Sequence, residues 1–349
     1  MKNSSPAPIR WGILGTARIA DKIAPAIQQT PQAELVAVAS RDLTRAQQWA
    51  ANRGIPRAYG SYAELLADPD IDAVYIPLPP SLHAPWTIRA LEVGLHVLCE
   101  KPLADSPQAA ATMVAASRQH RRLLMDGVMW RHHPRAAAMR DVLANGALGR
   151  LKRITAAFTF LGDWIPENDL RYQRELGGGA LLDLGWYCVG AALWATGRLP
   201  SRVWGHGRFV NDVDHSFSGM MWFPDDVVAS FDCGFETSSR KWFEIAGTHA
   251  SLICDDFTRP WNHEKARFWV HDHQGKAAEH VAPAQIQEHC LIAEFCRRVR
   301  SGEWDADWAE DSLRVQEVCS ALEESARSNR VVAVDGPLAE FGNPHNLRG

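Results

Sequence analysis

Three side chains of this 349-residue sequence have the types needed for proton transfer: the amine of Lys101, the carboxylate of Asp183 and the phenol of Tyr187. Asp183 and Tyr187 lie in an apolar run, GGGALLDLGWYCVGAALWATG, which has helical length and ends at Gly197, a typical helix stop. Side chains four apart share a helix face, so the run predicts that these two groups project side by side. A carboxylate in so apolar a run needs a partner, and Lys101 is the natural cation. The alternative is an Asp that caps a loop and a Tyr that packs in a core.

The first part of the chain alternates between strand and helix. Ile9 to Leu14 is a predicted buried strand, a helix follows to about Gln29, and a second strand covers Leu35 to Ala39. The further predicted elements are a short helix over 62–67, strands over 73–76, 96–99 and 123–125, and helices over 81–93 and 107–120. Such alternation implies a parallel, doubly wound Rossmann-type sheet, which binds ligands outside the carboxyl ends of its strands. The prolines after Ile76 and the segment Glu100-Lys101-Pro102 fall at that edge.

The turn after the first strand suits a pyrophosphate. Gly15 begins it, and Ala17 and Ala20 replace the second and third glycines of the usual G-x-G-x-x-G pattern. Alanine still permits close backbone approach, but an ordinary βαβ turn remains the alternative. The amides that would hold a pyrophosphate at the helix start are those of Thr16, Ala17, Arg18 and Ile19.

The end of the second strand indicates which nicotinamide nucleotide binds. NAD-specific sites place an Asp or Glu there for the ribose hydroxyls, whereas this chain has Ser40 and Arg41. A hydroxyl and a guanidinium suit a 2′-phosphate, so we expect NADP(H), with NAD(H) possible. The alternative is that Arg41 is merely solvated and Asp42 caps the next helix.

The pattern changes after Gly127. Strands follow one another without helices between them, in segments such as LKRITAAFTFLG and RVWGHGRFV, which predicts a large, mainly antiparallel open sheet in a C-terminal α/β domain. We therefore expect two domains, a nucleotide-binding domain over 1–127 and a substrate and oligomerisation domain over 128–349. A helix over about 309–328 should pack back on the body, followed by a short strand and a loose tail. Apolar residues on the open face predict a homodimer or homotetramer.

Composition excludes several other classes of protein. The net charge of −4 argues against nucleic-acid binding. We find no apolar run of the roughly 20 residues that cross a membrane, and no signal core at the N-terminus. The seven cysteines contain no CxxC pair, which favours reduced thiols and a cytoplasmic protein. His132 and His133 point apart if helical, so no metal site is expected.

Five segments together resemble the Gfo/Idh/MocA oxidoreductases over nearly the whole chain. These segments, in chain order, are RWGILGTARIA, VASRD, YIPLPPSLH, CEKPLA and ELGGGALLDLGWYCV. Tyr187, where inositol dehydrogenases carry histidine, places the chain nearest the dihydrodiol dehydrogenase and glucose–fructose oxidoreductase branch. The chain departs from the pattern at Pro80 and at Asp126-Gly127, where relatives often carry Asn and Glu-Ala.

The resemblance implies oxidation or reduction of a sugar, polyol or diol, with Lys101 and Tyr187 catalytic and Asp183 beside them. The Lys101–Pro102 peptide is often cis in relatives. Besides the residues of the first turn and of the second strand end, the expected cofactor contacts are Leu78, Pro79, His83, Glu100 and Lys101. The expected substrate contacts are Trp130, Arg131, Trp164, Arg171, Asp183 and Tyr187. Arg171 could instead pair with Asp163 or Glu167, and most of the fourteen tryptophans should serve packing.

The chemistry expected of this set is acid–base assistance to hydride transfer. The phenol of tyrosine has an ordinary pKa near 10, too high for a base at neutral pH, and a neighbouring ammonium lowers it. Lys101 would supply that charge for Tyr187, while Asp183 would orient Lys101 or bind a substrate hydroxyl. Two other functions remain open: an NAD-dependent glycosidase of the same fold, and a non-catalytic nucleotide-sensing regulator.

Overall fold

The computed structural model describes residues 7–304 and 307–334, and these residues form two compact units. The first unit consists of the chain up to Leu103, Gln108–Met129 and Ile286–Ala309; the second consists of Ala104–Pro107, Trp130–Gln285 and the chain from Glu310. The first unit therefore includes Ile286–Ala309, a segment far beyond the single domain boundary expected near residue 127. The expected C-terminal tail lies outside the described residues.

The first unit contains a six-stranded parallel sheet in the order β3-β2-β1-β4-β5-β6. Its elements in this part of the chain are β1 (Ile9–Leu14), α1 (Ala20–Gln29), β2 (Ala33–Ala39), α2 (Leu43–Ala51), β3 (Arg57–Tyr59), α3 (Tyr62–Leu66), β4 (Ala73–Ile76), α4 (His83–Glu92), β5 (His96–Cys99), α5 (Pro107–His120) and β6 (Leu124–Asp126). This strand order is that of dinucleotide-binding folds, and the order reverses between β1 and β4. The predicted Rossmann-type sheet is thereby confirmed.

The remaining elements build a nine-stranded sheet with helices. They are α6 (Pro134–Ala144), β7 (Leu151–Leu161), α7 (Trp186–Thr196), β8 (Arg202–Val210), β9 (Val213–Trp222), β10 (Val228–Gly234), β11 (Glu236–Gly247), β12 (Ala250–Cys254), β13 (Arg267–Asp272), β14 (Ala277–Val281), α8 (Gln287–Ser301), α9 (Asp307–Ser328) and β15 (Val332–Ala333). The sheet order is β14-β13-β12-β11-β7-β10-β9-β8-β15, and β7 and β10 are its parallel pair. The prediction of a mainly antiparallel second sheet is confirmed.

Helix α8, which the sequence analysis did not identify, belongs to the first unit. Its apolar side chains Leu291, Ile292 and Phe295 join the core formed around β1 and α1. The ring centroids of Trp11 in β1 and Phe295 lie 4.6 Å apart. Because α8 buries apolar surface of the first sheet, it belongs to that sheet's fold although more than 100 residues separate it from β6.

The helical run Arg174–Thr196 meets the length and composition of a membrane span, contrary to the expectation that no such run exists. Of its most apolar window, 67% is buried inside the protein. Core helices of globular proteins share that property, because a helix that is apolar all round must be covered. The end of the run at Gly197 is confirmed, since that glycine adopts a left-handed φ of +67° and donates to the Leu193 carbonyl.

Candidate active site

The turn between β1 and α1 requires glycine at its first position. Gly15 has a φ of +114°, and a Cβ there would lie 3.1 Å from Cδ2 of Leu78. Its amide donates to the Ala39 carbonyl at 2.8 Å, which fixes the turn against β2. The first helical hydrogen bond of α1 runs from the Ala20 amide to the Ala17 carbonyl. The amides of residues 16–19 thus precede the hydrogen-bonded helix, the position from which a helix start can bind an anion.

Two guanidinium groups lie at the end of β2 beside this turn. Arg41 is exposed, and Asp42 caps α2 by accepting from the Arg45 amide at 3.2 Å, a cap that the sequence analysis gave as part of the alternative to a 2′-phosphate site. Arg45, which the sequence analysis did not single out, donates to the Thr16 carbonyl at 3.3 Å. Burial raises the pKa of the Tyr62 phenol, and the charges of Arg41 and Arg45 act against that rise. The capping role of Asp42 and a cationic patch at Arg41 and Arg45 are therefore both present.

His83 ties together the segments that follow β4 and β5. Its ring is fully buried, with Nδ1 2.9 Å from the Pro102 carbonyl oxygen and Nε2 2.7 Å from that of Leu78. Both ring nitrogens thus lie beside backbone carbonyls of the first unit, and the expected contact of His83 with a cofactor stays a prediction. His83 thereby holds two segments in place: Leu78, which precedes the half-buried Pro79, and the Lys101–Pro102 peptide. That peptide is cis.

Glu100 is a buried carboxyl beneath Lys101. Its oxygens accept from the Tyr75 hydroxyl at 2.6 Å and from the Lys101 amide at 3.1 Å. Burial raises the pKa of Glu100, and the neighbouring Asp126 carboxylate acts in the same direction. A Cβ at Gly127 would lie 2.8 Å from Oε1 of Glu100, so the buried carboxyl leaves room for glycine at this position. Glu100 therefore supports Lys101 from inside the fold, and its expected contact with a cofactor stays a prediction.

The three glycines before Asp183 allow a close crossing of the chain. Gly177 has a φ of +80° and Gly179 a φ of +120°, and a Cβ at Gly179 would collide with Oδ1 of Asp214. Oδ2 of Asp214 accepts from the Leu181 amide at 2.6 Å, so the carboxyl holds the start of the run that carries Asp183. Burial raises the pKa of Asp214 to about 7. The sequence analysis did not identify Asp214, which lies more than 30 residues away in β9.

The expected single α-helix over this run is interrupted at its start. Leu181–Gly185 forms a π-helical turn, in which the Trp186 amide reaches back to the Leu181 carbonyl, and α7 follows it. A π-turn adds a residue to the helical circuit and recurs at functional sites. Asp183 lies inside this turn and Tyr187 lies one residue beyond the start of α7.

Asp183 has a cationic partner within its own unit. Nε of Arg171 donates to Oδ2 of Asp183 at 2.8 Å, and its Nη1 donates to Oδ1 of Asp169 at 3.0 Å. Burial lowers the pKa of Arg171, but the charges of Asp183 and Asp169 outweigh burial and raise it overall. The sequence analysis left open a pairing of Arg171 with Asp163 or Glu167, whereas its ion pairs in the structure are with Asp169 and Asp183. Lys101, first expected to pair with Asp183, belongs to the first unit.

Aromatic side chains lie along the face of β7 on which Tyr187 packs. The ring centroids of Phe158 and Tyr187 lie 5.3 Å apart, edge to face. Two residues further along the strand, Phe160 contacts Trp164 at 6.0 Å, and Trp164 is 55% exposed. An exposed indole on the face that carries Tyr187 is suited to contact a bound substrate.

Trp130 and Arg131 pack against neighbours within the second unit, and their expected contact with substrate stays a prediction. Trp130 is 3% exposed and packs edge to face on Trp194 and Phe257. Nη2 of Arg131 bonds Oδ2 of Asp311 at 2.7 Å, and both side chains are buried. Of the neighbouring histidines, His133 caps α6 by accepting from the Arg135 amide at 3.0 Å.

The fold and the glycine turn define a Rossmann-type oxidoreductase with a second, sheet-bearing domain. Residues 9–128 match the model of the Gfo/Idh/MocA oxidoreductase family with its NAD-binding Rossmann fold, and residues 136–253 match the Gfo/Idh/MocA C-terminal domain. The chain belongs to this family, and the resemblance found in the sequence is confirmed.

Individual relatives cover between about two thirds and nearly all of the chain. A dTDP-3,4-didehydro-2,6-dideoxy-α-D-glucose 3-reductase of Actinomadura kijaniata is 37% identical over 94% of this chain and 98% of its own length. The human trans-1,2-dihydrobenzene-1,2-diol dehydrogenase is 34% identical over 69% of this chain and 72% of its own. A crystal structure of KijD10, a 3-ketoreductase from Actinomadura kijaniata, with NADP and TDP-benzene is similar at a TM-score of 0.84, with 35% identity and coverage of 91% and 98%.

Proposed function

We propose that the protein transfers hydride between NADP(H) and a CH–OH or C=O carbon of a sugar, polyol or dihydrodiol. The observation that carries this proposal is the family match over both units, with Lys101, Asp183 and Tyr187 all present in the matched segments. Two of the relatives are named as a reductase of a keto sugar and as a dihydrodiol dehydrogenase. These names support an alcohol or ketone carbon as the reacting centre.

The residues present fit an NADP cofactor. A glycine with positive φ leaves room for close approach at the first turn, where a Cβ would meet Leu78. We assign the pyrophosphate to the amides of residues 16–19, and the 2′-phosphate to Ser40 and Arg41 with the help of Arg45. Two guanidinium groups favour a phosphate dianion over a plain ribose hydroxyl. The structure of KijD10, which contains NADP, supports the same choice.

The protein's part in the reaction is proton transfer and positioning. The bound nicotinamide supplies or accepts the hydride. We assign to Tyr187 the proton that the substrate oxygen gains on reduction or loses on oxidation, and to Lys101 the charge that favours the phenolate and holds that oxygen. Asp183, fixed by Arg171, would accept a hydrogen bond from a neighbouring substrate hydroxyl, which is one of the two roles that the sequence analysis left open for it.

Substitution at the two proposed catalytic residues tests the reaction. Lys101→Ala and Tyr187→Phe should each lower turnover by roughly 10²- to 10⁴-fold while the affinity for NADPH stays nearly unchanged. Turnover is followed by absorbance of NADPH across a screen of aldoses, polyols and dihydrodiols with NADP⁺. Tyr172→Phe is the matched control, because that phenol ring packs on His215 in the same unit. Full activity of either catalytic variant would contradict the proposal.

We also propose that the open face of the second sheet binds a second copy of the chain. On the face opposite Phe158, paired positions form a row across seven strands: Trp204, Met220, Ser230, Thr155, Glu244, Ile253 and Trp269. Large apolar side chains at both ends of this row favour a covered face. Gel filtration at low micromolar concentration should give a dimer or tetramer, and elution at monomer mass would contradict it. The seven cysteines form no disulfide within the described residues, which is in keeping with the cytoplasm, where we place the protein.

A further inference from the structure

An exposed tryptophan lies on the loop that follows β12. The side chain of Trp261 is 57% exposed, although indole is among the largest apolar groups. Nζ of Lys241 lies 3.3 Å from the centroid of its ring, and the same ammonium donates to the Arg259 carbonyl at 3.1 Å. Lys241, Arg259 and Trp261 thus form one small surface, hereafter the Trp261 platform, that combines a flat ring with two cationic residues.

The loop that carries Trp261 is held rigidly from below. Arg135 and Asp256 form a buried ion pair, with side chains 3% and 5% exposed. Oδ2 of Asp256 accepts from the Trp261 amide at 2.6 Å, and the Phe257 amide donates to the Lys241 carbonyl at 2.8 Å. The backbone beneath the indole is therefore fixed without any contribution from the ring. A fixed, exposed ring can receive a flat ligand at little cost in conformational entropy.

The platform lies on the face of the sheet that carries Tyr187. Lys241 in β11 is paired directly with Phe158 in β7, so both side chains project to one face with Cβ atoms roughly 5 Å apart. The Phe158 ring contacts that of Tyr187, with centroids 5.3 Å apart. The order along this face of the second unit is therefore Tyr187, Phe158, Lys241 and Trp261. A sugar at Tyr187 that carries a diphosphate and a base would extend in this direction.

The charges near the platform suit phosphate groups. Burial lowers the pKa of Lys241, because its ammonium is incompletely hydrated, and the Asp256 carboxylate acts against this change. Asp256 is itself paired with Arg135, so an added anion at the platform would be attracted by the ammonium of Lys241. An ammonium with few waters exchanges them for a phosphate at a lower desolvation cost than a fully hydrated one.

We propose that the Trp261 platform binds the nucleoside diphosphate arm of the substrate, with the base stacked on Trp261 and the phosphates on Lys241 and Arg259. This inference rests on the proposed function, since it takes the reacting sugar to lie at Tyr187. It narrows the substrate class from sugars and diols in general to sugars carried on a nucleoside diphosphate.

Calorimetric titration of the full-length protein tests the two halves of the platform separately. The probes are thymidine diphosphate, thymidine and inorganic pyrophosphate. Trp261→Ala should weaken thymidine diphosphate and thymidine by about five- to 150-fold, because one base stacked on an aromatic ring is lost, and should leave pyrophosphate unchanged. Lys241→Gln should weaken thymidine diphosphate and pyrophosphate and leave thymidine unchanged.

Two further variants control for folding and for net charge. Trp261→Phe keeps a stacking plane and should retain most of the affinity for thymidine diphosphate, which a purely structural role of the indole does not predict. Lys265→Gln removes the same charge from the same loop, where Lys265 pairs with Glu279, and should change no affinity. The inference fails if thymidine diphosphate does not bind, or if Trp261→Ala binds it within twofold of the parent protein.

The failure of this inference can be told from failure of the proposed function. If NADPH-dependent turnover depends on Lys101 and Tyr187 but Trp261→Ala leaves the KM for a thymidine diphosphate sugar unchanged, the platform alone is refuted. If thymidine diphosphate binds through Trp261 but no sugar or diol is turned over with NADPH or NADP⁺, the proposed function alone is refuted.

Discussion

Replacement of Asp214 by Asn should remove part of the pH dependence of the free energy of unfolding. In the folded protein, burial raises the pKa of this carboxyl from 3.8 to about 7, and the charge of Glu323 adds to the rise, against a hydrogen bond from the Leu181 amide. The folded state therefore holds the proton more tightly than the unfolded chain. Its stabilisation by that proton is complete below about pH 4 and is lost as the pH rises to about 7.

The size of the effect follows from the difference between the two pKa values. A difference of about three corresponds to about 4 kcal/mol in the free energy of unfolding, as an upper limit at pH 8. Asparagine does not titrate and still offers an oxygen to the Leu181 amide. Asp214→Asn should therefore match the parent protein near pH 4 and become progressively more stable than it between pH 5 and pH 8.

Chemical denaturation at pH 5, 6, 7 and 8, followed by tryptophan fluorescence, measures this difference. Asp212→Asn is the control of opposite sign, because the hydrogen bond from Arg327 lowers the pKa of that exposed carboxyl. The reasoning is refuted if the gap in stability between Asp214→Asn and the parent protein does not widen from pH 5 to pH 8.

Three further substitutions have outcomes set by the structure. Arg41→Glu should lower the ratio of catalytic efficiency with NADPH to that with NADH at least tenfold, because a carboxylate repels a 2′-phosphate and accepts from ribose hydroxyls; an unchanged ratio contradicts the assignment. Arg171→Gln should lower the free energy of unfolding by about 1–3 kcal/mol and reduce turnover, since two partly buried carboxylates lose their cation; thermal unfolding and kcat are the measurements. Gly127→Ala should cost about 1–3 kcal/mol because its Cβ presses on the buried Glu100, whereas Gly190→Ala, whose Cβ would meet nothing closer than 3.7 Å, should cost little or nothing in the same unfolding assay.

The sequence correctly predicted those elements whose bounds depend on residues close together in the chain. Helix α5 and strand β5 begin and end where the sequence analysis placed them, since apolar runs bounded by turn residues mark elements of that length. Gly197 ends α7 as expected because only a residue that tolerates positive φ closes a helix in that way.

The unpredicted features depend on contacts between distant residues. The pairing of Arg171 with Asp183 follows from the path of an irregular loop, which no spacing rule determines. Asp214 was missed because an isolated Asp in a strand carries no signal until Gly179 is seen to cross it. The π-turn at Leu181–Gly185 escaped notice because apolar residues continue through it without a break in pattern.

The return of α8 to the first sheet bears on how the chain is synthesised. Phe295, which packs against Trp11, is translated almost 300 residues after it. A nascent chain that stops at residue 127 therefore carries all six strands of the first sheet and still leaves apolar surface uncovered. Completion of the first unit must wait until α8 has been translated, so its six strands alone are not an independent folding module.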